Sequence, residues 1–194
     1  MLYLVRHGQT AYNTERRLQG QLDIPLDERG REQAAELAER LKNEGPRVNK
    51  IYCSTLRRAG ETARIIGRRL GLTPVSIEGI EEIAFGCFQG HTFDECARLF
   101  PEKYADYLIF GSASTAHGGE SGRQVLARSR EALLKLPEAH SGSALTVAHG
   151  AVIGYLRAAS LGLPLDDISA LIPDNAEVIP FGEDELERLA AYVL

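Results

Sequence analysis

Short apolar runs alternate with amphipathic stretches along this chain, and that alternation limits its fold more than any other feature. "LYLV" (residues 2–5), "VNKIYC" (48–53), "TPVSI" (73–77) and "SALTVAHG" (143–150) read as strands. Between them lie helical patterns. One starts at Asp27, a good N-cap, with Ala34, Leu37, Ala38 and Leu41 on its inner stripe and Gly45–Pro46 as its stop. A second is "LRRAGETARIIGRRLG" (56–71), with Ala59, Ala63, Ile66 and Leu70 inward and Gly71 closing it. Helices are also expected near 121–136 and over "AVIGYLRAASLG" (151–162). Strands alternating with helices predict an α/β three-layer sandwich, a mainly parallel central sheet flanked by helices. Residues about 84–119 break the pattern. They carry Phe85, Phe88, Phe93, Phe100, Tyr104, Tyr107 and Phe110, and read as a partly helical lid insertion. The last third is expected to close with two strands, "AEVIPF" (176–181) and "ERLAAYVL" (187–194).

At 194 residues the chain suits one domain, 1–194, with a sizeable core. Its net charge of −5 argues against nucleic acid or an anionic membrane surface as a partner. No apolar run is long enough to span a bilayer, and Met1–Val5 is too short for a signal peptide. Cys53, Cys87 and Cys96 are too few and too scattered for a disulfide framework, and read as reduced thiols of a cytoplasmic protein. A homodimer is left open.

The chemistry gathers at strand ends. In parallel sheets ligands bind beyond the carboxyl ends of the strands. Arg6 and His7 follow the first strand, Ser54 to Arg58 follow the second, and His149 ends another. Two arginines and two histidines that converge there make a positive pocket for a phosphate or a carboxylate. A histidine can also attack phosphorus and form a covalent phosphoenzyme. Two other chemistries fit badly. A cysteine phosphatase needs five residues between its Cys and Arg; here four separate Cys53 from Arg58, and Ala59 stands at the required place. No histidine pair has the helix-face spacing of a metallohydrolase.

"LVRHGQTAYN" (4–13) resembles the signature of the histidine phosphatase superfamily, in its phosphoglycerate mutase-like branch. "LQGQLDIPLDERGREQA", "CSTLRRAGETA", "EEIAFGCFQG", "HGGES" and "TVAHGAVIGYL" resemble its later segments in order, so the likeness runs over nearly the whole chain. The resemblance implies His7 as the phosphorylated nucleophile, with Arg6, Arg58 and His149 on the transferring phosphoryl group. It implies Glu82, four residues before Gly86, as general acid and base; the neighbouring Glu81 is the rival. Asn13, Gln19 and Gly20 would complete the phosphate and substrate contacts, with Thr10 a weaker candidate. Asn13 also suits a plain turn, Glu120 a helix cap, and His91, His117 and His140 the surface or lid.

Physical chemistry supports this assignment. Two guanidiniums and a protonated imidazole can hold the charge of phosphoryl transfer, so no metal or other cofactor is expected. A carbonyl on one nitrogen of His7 would set the tautomer that leaves the other free to attack. Gly8 would leave room for the phosphate. A carboxylic acid would protonate the leaving alkoxide. Between mutase and phosphatase, the stretch 101–119 decides. It offers Lys103 as its one fixed cation, where a mutase is expected to carry a basic cluster for the phosphoglycerate carboxylate. The expected activity is a metal-independent phosphomonoesterase on small phosphorylated metabolites. The alternatives are a cofactor-dependent phosphoglycerate mutase and a non-catalytic phospho-ligand-binding module.

Overall fold

The computed structural model describes residues 1–193 and, of Phe110, the backbone alone. Leu2–Arg6 forms β1, and a four-residue helix α1 (Ala11–Thr14) interrupts the loop that follows. Then come α2 (Glu28–Asn43), β2 (Lys50–Ser54), α3 (Arg57–Leu70) and β3 (Val75–Ile77). The insertion holds a 3-10 turn at Gly86–Phe88, α4 (Phe93–Leu99) and α5 (Pro101–Phe110). The chain continues with α6 (Gly122–Leu134), β4 (Ala144–Ala148), α7 (Gly150–Leu161), β5 (Val178–Phe181) and α8 (Glu183–Ala191). Among the described residues no helix is long and apolar enough to cross a membrane.

The five strands lie in the order β3-β2-β4-β1-β5, parallel except for β5. Strand alternation splits the core in two. Leu2, Leu4, Ala144 and Ala148 point to one face, where they meet Val125, Leu126, Val152 and Leu189 of α6, α7 and α8. Val5, Ile51, Cys53 and Val147 point to the other, against Leu37 and Ala38 of α2 and Ala63 and Ile66 of α3. The expected α/β sandwich is the fold observed.

Local chemistry sets the helix ends. Asp27 caps α2 by accepting from the Gly30 N–H (2.7 Å), and Gly71 ends α3 in the left-handed region (φ 74°). Leu56 offers α3 no side-chain cap. Asp23 supplies it from the preceding loop, accepting from the Arg57 N–H at 2.7 Å.

The C-terminal expectation needs correction. "AEVIPF" does yield β5, antiparallel to β1, but the segment after it is helix α8 rather than a strand. Leu186 and Leu189 are buried at i, i+3 spacing, and Glu183, Asp184 and Glu185 favour a helix N-terminus. The final residue of that expected strand, Leu194, lies outside the described residues.

Candidate active site

Strand order explains why distant residues meet. β1, β4 and β2 are neighbours, paired at Arg6↔Ala148 and Cys53↔Val147, so all three run out at one edge. His7, His149 and Ser54 are thereby delivered together, and the His7 and His149 rings lie 5.2 Å apart. Arg58 joins from the first turn of α3 and is wholly buried.

His7 has defined roles for both ring nitrogens. Nδ1 lies 2.7 Å from the Gly8 carbonyl, which can only accept, so Nδ1 carries the proton. Nε2 accepts from Nε of Arg58 at 3.2 Å. Burial first, then Arg58 and Arg6, hold His7 well below the ordinary imidazole value of 6.5. The ring is neutral, with its lone pair on Nε2. Its backbone is pinned as well: Asn175 donates to the His7 carbonyl (2.8 Å), and the Gly8 N–H donates to Thr62 (3.0 Å). Gly8 is required for a reason other than phosphate room, because a Cβ there would collide with the Gly30 carbonyl of α2.

Both arginines are aimed by carbonyls. Arg6 donates to Pro173 (2.7 Å), and Arg58 to Leu22 and Gly20 (2.8 Å each). Nε of Arg6 is buried and unpartnered, as is Nδ1 of His149, whose Nε2 lies 2.8 Å from Ser54 Oγ. Burial, then Arg58 and His7, hold this ring well below 6.5. Arg58 and His149 are both fully buried and, unlike Arg6 and His7, do not line the cavity itself.

Of the two glutamates, Glu82 faces the cavity that Arg6 and His7 line. Its Oε1 accepts from the Ile83 N–H (3.0 Å), and its Oε2 from the Ala151 N–H (3.4 Å) in the first turn of α7. Glu81 is occupied elsewhere, by the Thr55 hydroxyl (2.9 Å) and the Gly79 N–H (2.8 Å). Asn13, Gln19 and Gly20 also line the cavity. Asn13 uses Oδ1 on the backbone and hydroxyl of Thr10 (3.1 Å each), which leaves its Nδ2 for a ligand. Thr10 is buried, caps α1 and does not line the cavity. His117, expected at the surface or in the lid, is buried against Phe85, Phe88 and Tyr107.

Sequence reasoning missed Arg128. This α6 residue donates to the carbonyls of Gly79 (2.9 Å), Glu81 (2.7 Å) and Glu82 (3.1 Å). It also holds both carboxylate oxygens of Glu120 (2.7 and 2.8 Å), and Glu120 accepts from the Ala84 N–H at 2.9 Å. Glu120 is therefore a strut for the Glu82 loop, and Ser121 is the cap of α6. Only an arginine fork reaching across from α6 could do this, and residue spacing gives no hint of it.

Among the described residues, no group of three or more His, Cys, Asp or Glu is placed to hold a metal ion. A neutral buried imidazole beside one fully buried and one half-buried arginine, with a carboxylate lining the same cavity, is a site for phosphoryl chemistry. The chain belongs to the histidine phosphatase superfamily (branch 1), whose family model matches residues 2–187. It is 37% identical over 161 residues to phosphoglycerate mutase-like protein 4 of Arabidopsis thaliana, across 80% of this chain and 68% of that one. Among solved structures it resembles a mycobacterial glucosyl-3-phosphoglycerate phosphatase at 35% identity (TM-score 0.77; 91% of this chain, 87% of that one). It also resembles an Entamoeba histolytica phosphoserine phosphatase at 29% identity (TM-score 0.78; 91% and 87%). The chain is a phosphoric monoester hydrolase.

Proposed function

We propose that this protein hydrolyses small phosphomonoesters through a phosphohistidine formed on Nε2 of His7, without a metal. One observation carries the reading: His7 is neutral, its tautomer is set by Gly8, and its lone pair faces the groups that would hold a phosphoryl. In the first step Nε2 attacks phosphorus and the P–O bond to the alcohol breaks. Arg58 Nε then turns its N–H from Nε2 to a phosphoryl oxygen, beside Nε of Arg6 and Nδ1 of His149. The first amides of α7 add a positive helix end. Glu82 gives its proton to the leaving oxygen. In the second step water attacks the phosphohistidine, Glu82 takes its proton, and inorganic phosphate leaves.

Asn13, Gln19 and Gly20 hold the phosphate and its ester oxygen. The stretch 84–119 serves as the lid of a single domain. The enzyme works in the cytoplasm with its three thiols reduced; Cys53, Cys87 and Cys96 are all free.

Acid- and base-quench experiments test the mechanism. Labelled substrate leaves phosphate on the protein that is base-stable and acid-labile, and prior treatment with EDTA changes neither label nor turnover, because Arg6 and Arg58 supply the charge. Loss of activity in EDTA with recovery in magnesium would overturn this.

In this scheme Arg128 is a positioning residue for Glu82. Arg128→Ala strands three carbonyls and a half-buried carboxylate, at about 2 kcal/mol of stability in a urea titration. It also slows alkyl phosphates several-fold more than p-nitrophenyl phosphate, and Arg128→Lys recovers part of that difference. Equal slowing of both substrates would leave Arg128 a purely structural role.

A further inference from the structure

The active-site cavity, about 390 Å³, is larger than a phosphoryl group needs and falls in the range of small-molecule sites. Its far half is built to one pattern. Phe85, Phe93, Tyr107 and Leu108 of the insertion face it from one side, and Ile168 and Ile172 of the loop after α7 from another. Phe93 and Leu108 are 43% and 64% exposed, so this apolar wall continues to the mouth of the cavity.

The charged residues of that half matter as much. Arg17 is its only cation among the described residues, and its charge is already paired: Nη1 meets Glu95 (2.6 Å) and the Gly90 carbonyl (2.8 Å), and Nε meets Glu15 (2.7 Å). Lys103 does not line the cavity; its Nζ lies 3.7 Å from Cys87 Sγ. The other two charges are acidic. Asp166 and Asp167 both line the cavity, each with one oxygen tied by a serine: Ser112 to Asp166 (2.8 Å) and Ser169 to Asp167 (2.6 Å). A substrate with a second acid would place it against apolar side chains and two carboxylates, where the one cation of that half among the described residues, Arg17, is already paired with two glutamates.

Resting on the phosphatase reading above, we infer that this cavity selects phosphomonoesters whose leaving group is an apolar ring or chain, with the phosphoryl as their only anion. Carboxylate-bearing esters such as phosphoserine and phosphoglycerates are disfavoured. The chain thereby parts from two of its structural neighbours, whose described substrates carry a carboxylate. The acidic pair leaves room for a hydroxyl or an amine at the far end of the leaving group.

Matched esters test this. Benzyl phosphate and 4-carboxybenzyl phosphate share a leaving oxygen and differ by one charge at the far end. The expected kcat/KM for the benzyl ester exceeds that for the carboxylated one by tenfold or more, with the gap narrowing in salt. 4-(Aminomethyl)benzyl phosphate should match or exceed the benzyl ester. Leu108→Arg places a cation at the mouth, at an exposed position that folding tolerates, and should shrink the gap several-fold. Phe93→Ala should lower kcat/KM for benzyl phosphate several-fold more than for methyl phosphate. Equal kcat/KM for the benzyl and carboxybenzyl esters, or preference for 3-phosphoglycerate over benzyl phosphate, would overturn the inference and leave the phosphatase reading standing. Failure to hydrolyse any of these esters, with no label on His7, would overturn both.

Discussion

His7→Ala abolishes both covalent labelling and turnover, with a loss of roughly 10⁴–10⁶-fold in kcat, the scale seen when a covalent nucleophile is removed. The fold should survive, because the ring's own bonds are to a neighbouring carbonyl and to Arg58, which keeps its bonds to the Leu22 and Gly20 carbonyls. Wild-type protein has a further signature in pH. Burial, Arg58 and Arg6 depress the folded-state pKa of His7 below 6.5. His7 thus stays neutral, and phosphorylation should show no His7-borne acid limb near 6.5. The stability sign follows by linkage. Below 6.5 the unfolded chain takes up a proton that the folded site refuses, so stability falls as pH drops through 6.5 toward the depressed value. His7→Ala removes its share of that slope; His149, depressed by burial and Arg58 in the same way, keeps the remainder. A His7→Ala protein that retains turnover and label would end the phosphohistidine scheme.

Glu82→Gln slows alkyl phosphates by about 10²–10⁴-fold, the usual worth of a general acid. An alkoxide leaves badly without a proton, whereas p-nitrophenolate is stable alone. Phosphoenzyme formation from p-nitrophenyl phosphate should therefore lose far less. Glu81→Gln should change neither substrate's rate much, since Glu81 is bound to Thr55 and Gly79 and does not line the cavity. Arg58→Ala should hurt both substrates alike, because the phosphoryl charge is common to them. Pre-steady-state bursts with the two substrates separate these outcomes. Equal slowing of both by Glu82→Gln, or the leaving-group pattern in Glu81→Gln, would move the acid away from Glu82.

Periodicity determined much of this molecule directly. The stripe Ala34, Leu37, Ala38, Leu41 is the buried face of α2, and Asp27 and Gly71 stand at the helix ends that their chemistry favours. Such signals are local: each depends on residues within one or two turns, so they can be read without the fold. Arg6, His7, Arg58 and His149 could be placed at strand and helix ends for the same reason. Periodicity failed at α8, where Leu186 and Leu189 were masked by an apolar tail that reads equally well as a strand.

Tertiary structure alone decided what those residues can do. It set the tautomer of His7 through Gly8, lowered the pKa of His149 by burial, and separated Glu82 from Glu81 by what each carboxylate touches. It assigned Gly8 to helix packing, Thr10 to a cap, and Arg128 to the loop beneath Glu82. Proton position, desolvation and hydrogen bonds between residues far apart in the sequence depend on distance in space. A linear pattern of residue types carries the candidates for such a site, and the folded chain selects among them.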